Sequence, residues 1–96
     1  MTVRVELFAN RSVQEDLFER LNRQKLAQLH SLIPETQGIG LNGPRRGDHI
    51  WPEENFILIT YVEEDEARKI KAVVDDLRAF FPTEGITVFA TPVVEL

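Results

Sequence analysis

The sequence predicts an α+β protein: a ferredoxin-like βαββαβ sandwich, with a four-stranded antiparallel sheet and a long loop between the second and third strands. Extended and helical patterns follow one another as strand, helix, strand, loop, strand, helix, strand within 96 residues. Both helical segments carry one apolar stripe, so each needs a sheet face to cover. The run from Phe56 to Val62 is apolar on both sides, as a central strand should be.

Residues Thr2 to Phe8 alternate, with Val3, Val5 and Leu7 on one side and Arg4, Glu6 and Phe8 on the other, which reads as a strand. In Ser12-Val13-Gln14-Glu15 a hydroxyl and a carboxylate three positions apart match a capping box, so a helix is expected to start there and to end near Lys25. Val13, Leu17 and Leu21, flanked by Phe18, form its buried stripe. Ala27 to Ile33 is the second strand, because Pro34 forbids a helix and the helical spacing fails after Leu29. Residues 34 to 54 hold three of the five prolines and four of the five glycines and read as a loop. A loop that long in a compact domain is usually functional or disordered.

The third strand is Phe56 to Val62. Glu63, Glu64, Asp65 and Glu66 then put negative charge at a helix start, where the backbone dipole favours it. Ala67, Ile70, Val74, Leu77 and Phe81, widened by Val73 and Phe80, form the second stripe, which Pro82 ends. Ile86 to Val94 is the last strand, placed at an edge by Pro92.

Residues 1–96 form a single domain, with 43% hydrophobic residues and five net negative charges. Zero cysteines exclude disulfides, thiolate metal sites and cysteine nucleophiles. The longest apolar run is far below the roughly 18 residues of a membrane span, and no secretory leader pattern opens the chain, so a cytoplasmic protein without direct membrane insertion is expected. The acidic balance argues against nucleic acid as a partner. So short a chain buries only roughly 60 to 65% of its unfolded surface. Its two helices cover one sheet face, which leaves the other side of Phe56 to Val62 bare, and an obligate oligomer with inward-facing sheets is the expected remedy.

Two clusters carry candidate chemistry. In Asp48-His49-Ile50-Trp51-Pro52-Glu53-Glu54-Asn55, His49 with Glu53 or Glu54 forms a candidate divalent metal set, while the alternative is a solvated turn with Trp51 as its anchor. In Gly38-Ile39-Gly40-Leu41-Asn42-Gly43-Pro44-Arg45-Arg46-Gly47, the glycines let backbone amides converge on an anion, and Arg45 and Arg46 fork to phosphate or to a partner's carboxylates. Here the alternative is steric relief in a long turn kept soluble by its arginines. The segment matches neither a P-loop nor a dinucleotide fingerprint. Ser12 and Ser31 lack a nucleophile's setting, and the Glu63 to Glu66 run is a helix start, so no catalytic residues are assigned and the chain is not expected to be an enzyme.

The two βαβ halves, the long loop after Gly38-Ile39-Gly40 and the ending Gly85-Ile86-Thr87-Val88-Phe89-Ala90-Thr91-Pro92-Val93 resemble the PII-like proteins, over nearly the whole chain. The segment Gly43 to Asn55 is similar to the loop of a divergent group in the nitrogen regulatory PII and CutA-like superfamily, some of whose members are linked with heavy-metal efflux. The resemblance implies a homotrimer with its sheets inside, a mobile loop at residues 41 to 54, and effector clefts between subunits. It also implies signalling through a bound partner, such as a membrane transporter or a regulatory protein, that meets Arg45, Arg46 and Trp51. Gly38, Gly40 and Gly85 correspond to the family's nucleotide-binding positions. The family's phosphate-binding lysine would follow Gly85, where this chain has Ile86, and its basic C-terminal extension is not found up to Leu96. The modified tyrosine of the family's loop also has no counterpart, since the one tyrosine, Tyr61, lies in a strand. An adenine nucleotide held in the family's usual way is therefore not expected, and a divalent metal ion stands beside it as effector. The CutA proteins offer the alternative of a divalent-metal-binding protein of metal tolerance, although their characteristic cysteine is missing here.

Overall fold

A computed structural model describes residues 1–40, 43–45 and 54–96. Strand β1 (Thr2–Asn10) leads through a tight turn at Arg11–Val13 into helix α1 (Gln14–Arg23); β2 (His30–Thr36), β3 (Gly38–Gly40), β4 (Gly43–Arg45) and β5 (Asn55–Glu63) follow, then α2 (Glu64–Phe80) and β6 (Ile86–Pro92). The main sheet has the order β2-β5-β1-β6, with β1 paired antiparallel to β5 and β6, and β2 antiparallel to β5. This is the expected βαββαβ sandwich.

The alternation of β1 does what its pattern requires: Val3, Val5, Leu7 and Ala9 are buried, as are Phe56 and Leu58 of β5. Against them pack Val13, Leu17 and Leu21 from the α1 side and Ala67, Ile70, Val73, Val74 and Leu77 from α2, with Phe18, Leu32, Val62, Phe81 and Val88 at the margin. Thr60, the polar member of this layer, donates its hydroxyl to the Leu29 carbonyl at 2.7 Å, so its burial leaves no unmet donor.

Several expectations are corrected. The side-chain cap at this point is Asn10, not Ser12: Asn10 accepts from the Ser12 amide at 2.9 Å and caps the short turn Arg11–Val13 that leads into α1. β1 runs two residues beyond Phe8 before the chain turns, which brings Asn10 to the cap position. The connection after α1 takes the left-handed conformation at Lys25 (φ 57) and Ala27 (φ 51), so the helix stops at Arg23. β2 begins at His30 and continues through Pro34; it is an edge strand, and its register shifts between Ile33 and Thr36, where proline is tolerated. The 34 to 54 segment is not all loop, because β3 and β4 pair within it as a separate two-stranded ribbon. Phe80 is 69% exposed rather than part of the buried stripe, with the Arg20 guanidinium 5.8 Å from its ring centre. The last strand closes at Pro92 rather than Val94.

Among the described residues no helix lies on the far face of the sheet. In register across it lie Ile33, Ile57, Phe8 and Thr87 in one row, and Ser31, Ile59, Glu6 and Phe89 in the next. Phe8 and Phe89 meet edge to face at 6.2 Å, and Phe89 is 59% exposed. Arg4 donates to the Tyr61 hydroxyl at 2.7 Å, which is the main reason its guanidinium holds its proton more firmly than usual.

Candidate functional site

The ends of all four main strands meet in one row. Thr36 pairs with Asn55, Asn55 with Asn10, and the Asn10 amide donates to the Gly85 carbonyl at 3.2 Å. One residue on, the Arg11 amide donates to the Glu54 carbonyl at 2.6 Å. Asn10 and Arg11 thus tie the returning leg of the central loop to the turn before β6, and they do so because β1 is the strand between them.

The Arg11 side chain reaches the other leg. Its Nη1 lies 3.4 Å from Glu35 Oε1 and 3.9 Å from Glu54 Oε2, so one guanidinium spans the points where the loop leaves β2 and returns to β5. Thr36 adds a hydroxyl bond to the Asn55 carbonyl at 3.3 Å. One Oε2 each of Glu54 and Glu84 is buried without a hydrogen-bond partner among the described residues. With the Glu35 and Glu54 carboxylates against one guanidinium, an anion at this point would need the loop arginines.

The sequence candidates fall into place unevenly. Gly38 pairs with Arg45, and Gly40 with Gly43, across the β3 and β4 ribbon, so the glycine pair and Arg45 share one small element. Gly85 sits in the turn before β6, exposed, with no atom within 4 Å of where a Cβ would stand. Glu54 belongs to the Arg11 cluster. His49, Glu53, Arg46 and Trp51 lie outside the described residues. Among the described residues no three His, Cys, Asp or Glu side chains converge as a metal site. His30 packs on Phe18 at 5.3 Å between ring centres and bonds through Nδ1 to the Ala27 carbonyl at 2.8 Å, a structural role.

Sequence reading missed Asn10, Arg11 and Glu35. Arg11 looks like a solvated residue before a helix, and no local spacing links it to Glu35 or Glu54; only sheet order does.

Within one chain Thr36 and Gly85 are not neighbours. Thr36 lies on one edge strand and Gly85 precedes the other, three strand spacings or roughly 14 Å apart.

No protein-family model matches the chain, and no curated protein matches it. Solved structures do. CPII, a nitrogen regulatory PII-like protein from Thiomonas intermedia K12 bound to ADP, AMP and bicarbonate, superposes with TM-score 0.71 at 16% identity, over 94% of this chain and 83% of its own. A PII-like signalling protein from Thermus thermophilus gives TM-score 0.66 at 20% identity, over 94% of this chain and 84% of its own. CPII bound to ADP, AMP and acetate matches over 98% of this chain and 89% of its own, with TM-score 0.61 and 14% identity. The solved neighbours of this chain are PII-like signalling proteins, and it has their fold.

Proposed function

We propose that the protein is a regulatory module of the PII-like type, a homotrimer whose effector cleft lies between subunits and whose loop at residues 38–54 carries the signal to a partner. The observation that carries this reading is the placement of Gly85 and the loop base at opposite edges of one sheet. Strand directions alternate across that sheet, so the free edge of β6 pairs antiparallel with the free edge of β2 in the next copy. That pairing sets Gly85 of one copy beside Thr36, Gly38 and Gly40 of its neighbour, and the cleft closes only in the assembly. Both edges fit the role: β6 contains no Asp, Glu, Lys or Arg and β2 only Glu35, in a chain that is 28% charged. Edge strands that must stay unpaired usually carry such charges.

A ligand at this cleft shifts the loop only through unequal affinity for its arrangements. Arg45 and Arg46 contact an anionic effector or the partner's carboxylates, and Trp51 anchors the loop. The neighbours solved with ADP and AMP favour a nucleotide. Ile86 is 3% exposed, so its position faces the core and offers no phosphate contact, which leaves that task to the two arginines. A divalent metal at His49, Glu53 and Glu54 is the competing effector.

Calorimetric titration with ATP, ADP, AMP and bicarbonate, and separately with zinc, copper, nickel and cobalt, tests the reading while Trp51 fluorescence follows the loop. One saturable site per protomer is expected, with sedimentation showing a trimer. The Arg45→Ala, Arg46→Ala double variant should lose nucleotide binding and keep its oligomer state, whereas a response to metal alone that vanishes in His49→Ala selects the metal. A monomer that binds none of these overturns the proposal.

A further inference from the structure

Between α2 and the outer edge of β6 runs a groove of about 330 Å³, lined by Val3, Val5, Ala67, Val88, Ala90 and Pro92, with Met1 at one end and Arg78 at the other. Its basic rim is already neutralised from its own helix: Arg68 lies 3.2 Å from Glu64, Lys71 2.7 Å from Asp75, and Arg78 3.6 Å from Asp75. An apolar floor under a self-paired rim calls for an occupant that is apolar and brings no charge.

Leu29 has those properties. It is 88% exposed, yet the connection that carries it is firmly held. Its carbonyl accepts from Thr60 at 2.7 Å, the neighbouring Ala27 amide donates to Glu66 at 3.0 Å, and His30 bonds the Ala27 carbonyl at 2.8 Å. The chain bends at Leu29 before β2 begins, so this side chain is not bound to the in-and-out alternation of the strand. Leu29 is thus a large apolar side chain presented to solvent by an ordered connection.

We infer that Leu29 of one copy seats in the α2/β6 groove of the next and locks the edge-to-edge contact. The inference rests on the pairing of β6 with a neighbour's β2 proposed above, because antiparallel pairing sets the last residues of β6 against the first residues of β2. Leu29 therefore arrives at the Met1, Ala67 and Pro92 end of the groove. The contact is head to tail, so every copy gives one leucine and receives one.

Sedimentation velocity of the full chain over a dilution series tests this, with circular dichroism to confirm folding. Leu29→Asp should weaken association on the order of 10- to 100-fold per contact, and Leu29→Met should keep it. Ala90→Trp, which fills the groove from an exposed position, should weaken association to the same extent. Mixing Leu29→Asp with Ala90→Trp leaves one intact head and one intact groove, so the mixture should form dimers that go no further. A wild-type monomer would overturn both the edge pairing and this contact. Unchanged assembly in either variant would overturn the leucine contact alone.

Discussion

The backbone amide of Asn10 donates to the carbonyl of Gly85 at 3.2 Å, and this bond fixes the turn before β6 to the end of the central strand. Gly85 uses its carbonyl for that bond, and nothing stands within 4 Å of an added Cβ. Gly85→Ala should therefore leave stability unchanged or raise it by up to about 1 kcal/mol in urea unfolding, since alanine restricts the unfolded chain. If the cleft needs backbone to approach an effector closely at this point, the same variant should lose effector binding in calorimetry. Lost stability would show that the glycine serves the fold instead.

The cap of the turn before the first helix separates two residues that the sequence alone confuses. Asn10 is 2% exposed and accepts from the Ser12 amide, whereas Ser12 lies in solvent. Asn10→Ala should cost about 1 to 2 kcal/mol. Ser12→Ala should stay within about 0.5 kcal/mol, as surface changes do. Equal losses in thermal or urea unfolding would return the capping role to Ser12.

The uncovered sheet face gives a prediction about assembly. Ile59 sits between Glu6 and Ser31 in register on that face, with Ile57 two residues away on the same strand. Ile59→Lys should leave the helix-side core intact, with native far-ultraviolet circular dichroism, and shift the sedimenting species from the proposed trimer to monomer. A trimer of wild-type affinity would mean that the faces do not meet.

Lys25 holds a left-handed backbone at φ 57 while its side chain is exposed. Glycine adopts that conformation without the Cβ clash, which costs other residues roughly 1 to 2 kcal/mol. Lys25→Gly should accordingly stabilise the chain by about 0.5 to 1 kcal/mol in chemical unfolding, the gain being trimmed by the greater freedom of glycine in the unfolded chain. Destabilisation would point to a contact of the lysine stem.

The layers of this fold are written plainly in the chain. Val3, Val5 and Leu7 mark the inner side of β1, and Val13, Leu17 and Leu21 mark the face of the first helix, because burial selects apolar side chains at the period of each element. What escaped depended on neighbours distant in sequence. Pro34 looks like a terminator until β2 is known to be an edge strand. Gly38-Ile39-Gly40 and Gly43-Pro44-Arg45 read as loop because backbone pairing leaves little trace in such side chains. Arg11 becomes a clasp only once the sheet order brings Glu35 and Glu54 to it.

The two border strands of the sheet, in which Glu35 is the one Asp, Glu, Lys or Arg, set a hazard as well as an opportunity. The proposed head-to-tail contact would join a third molecule as readily as a second. The angle between successive sheets, with the meeting of their uncovered faces, would decide whether the line bends back on itself or runs on as a fibre. In the proposed assembly a change that flattens the sheet should be visible as filaments under the electron microscope.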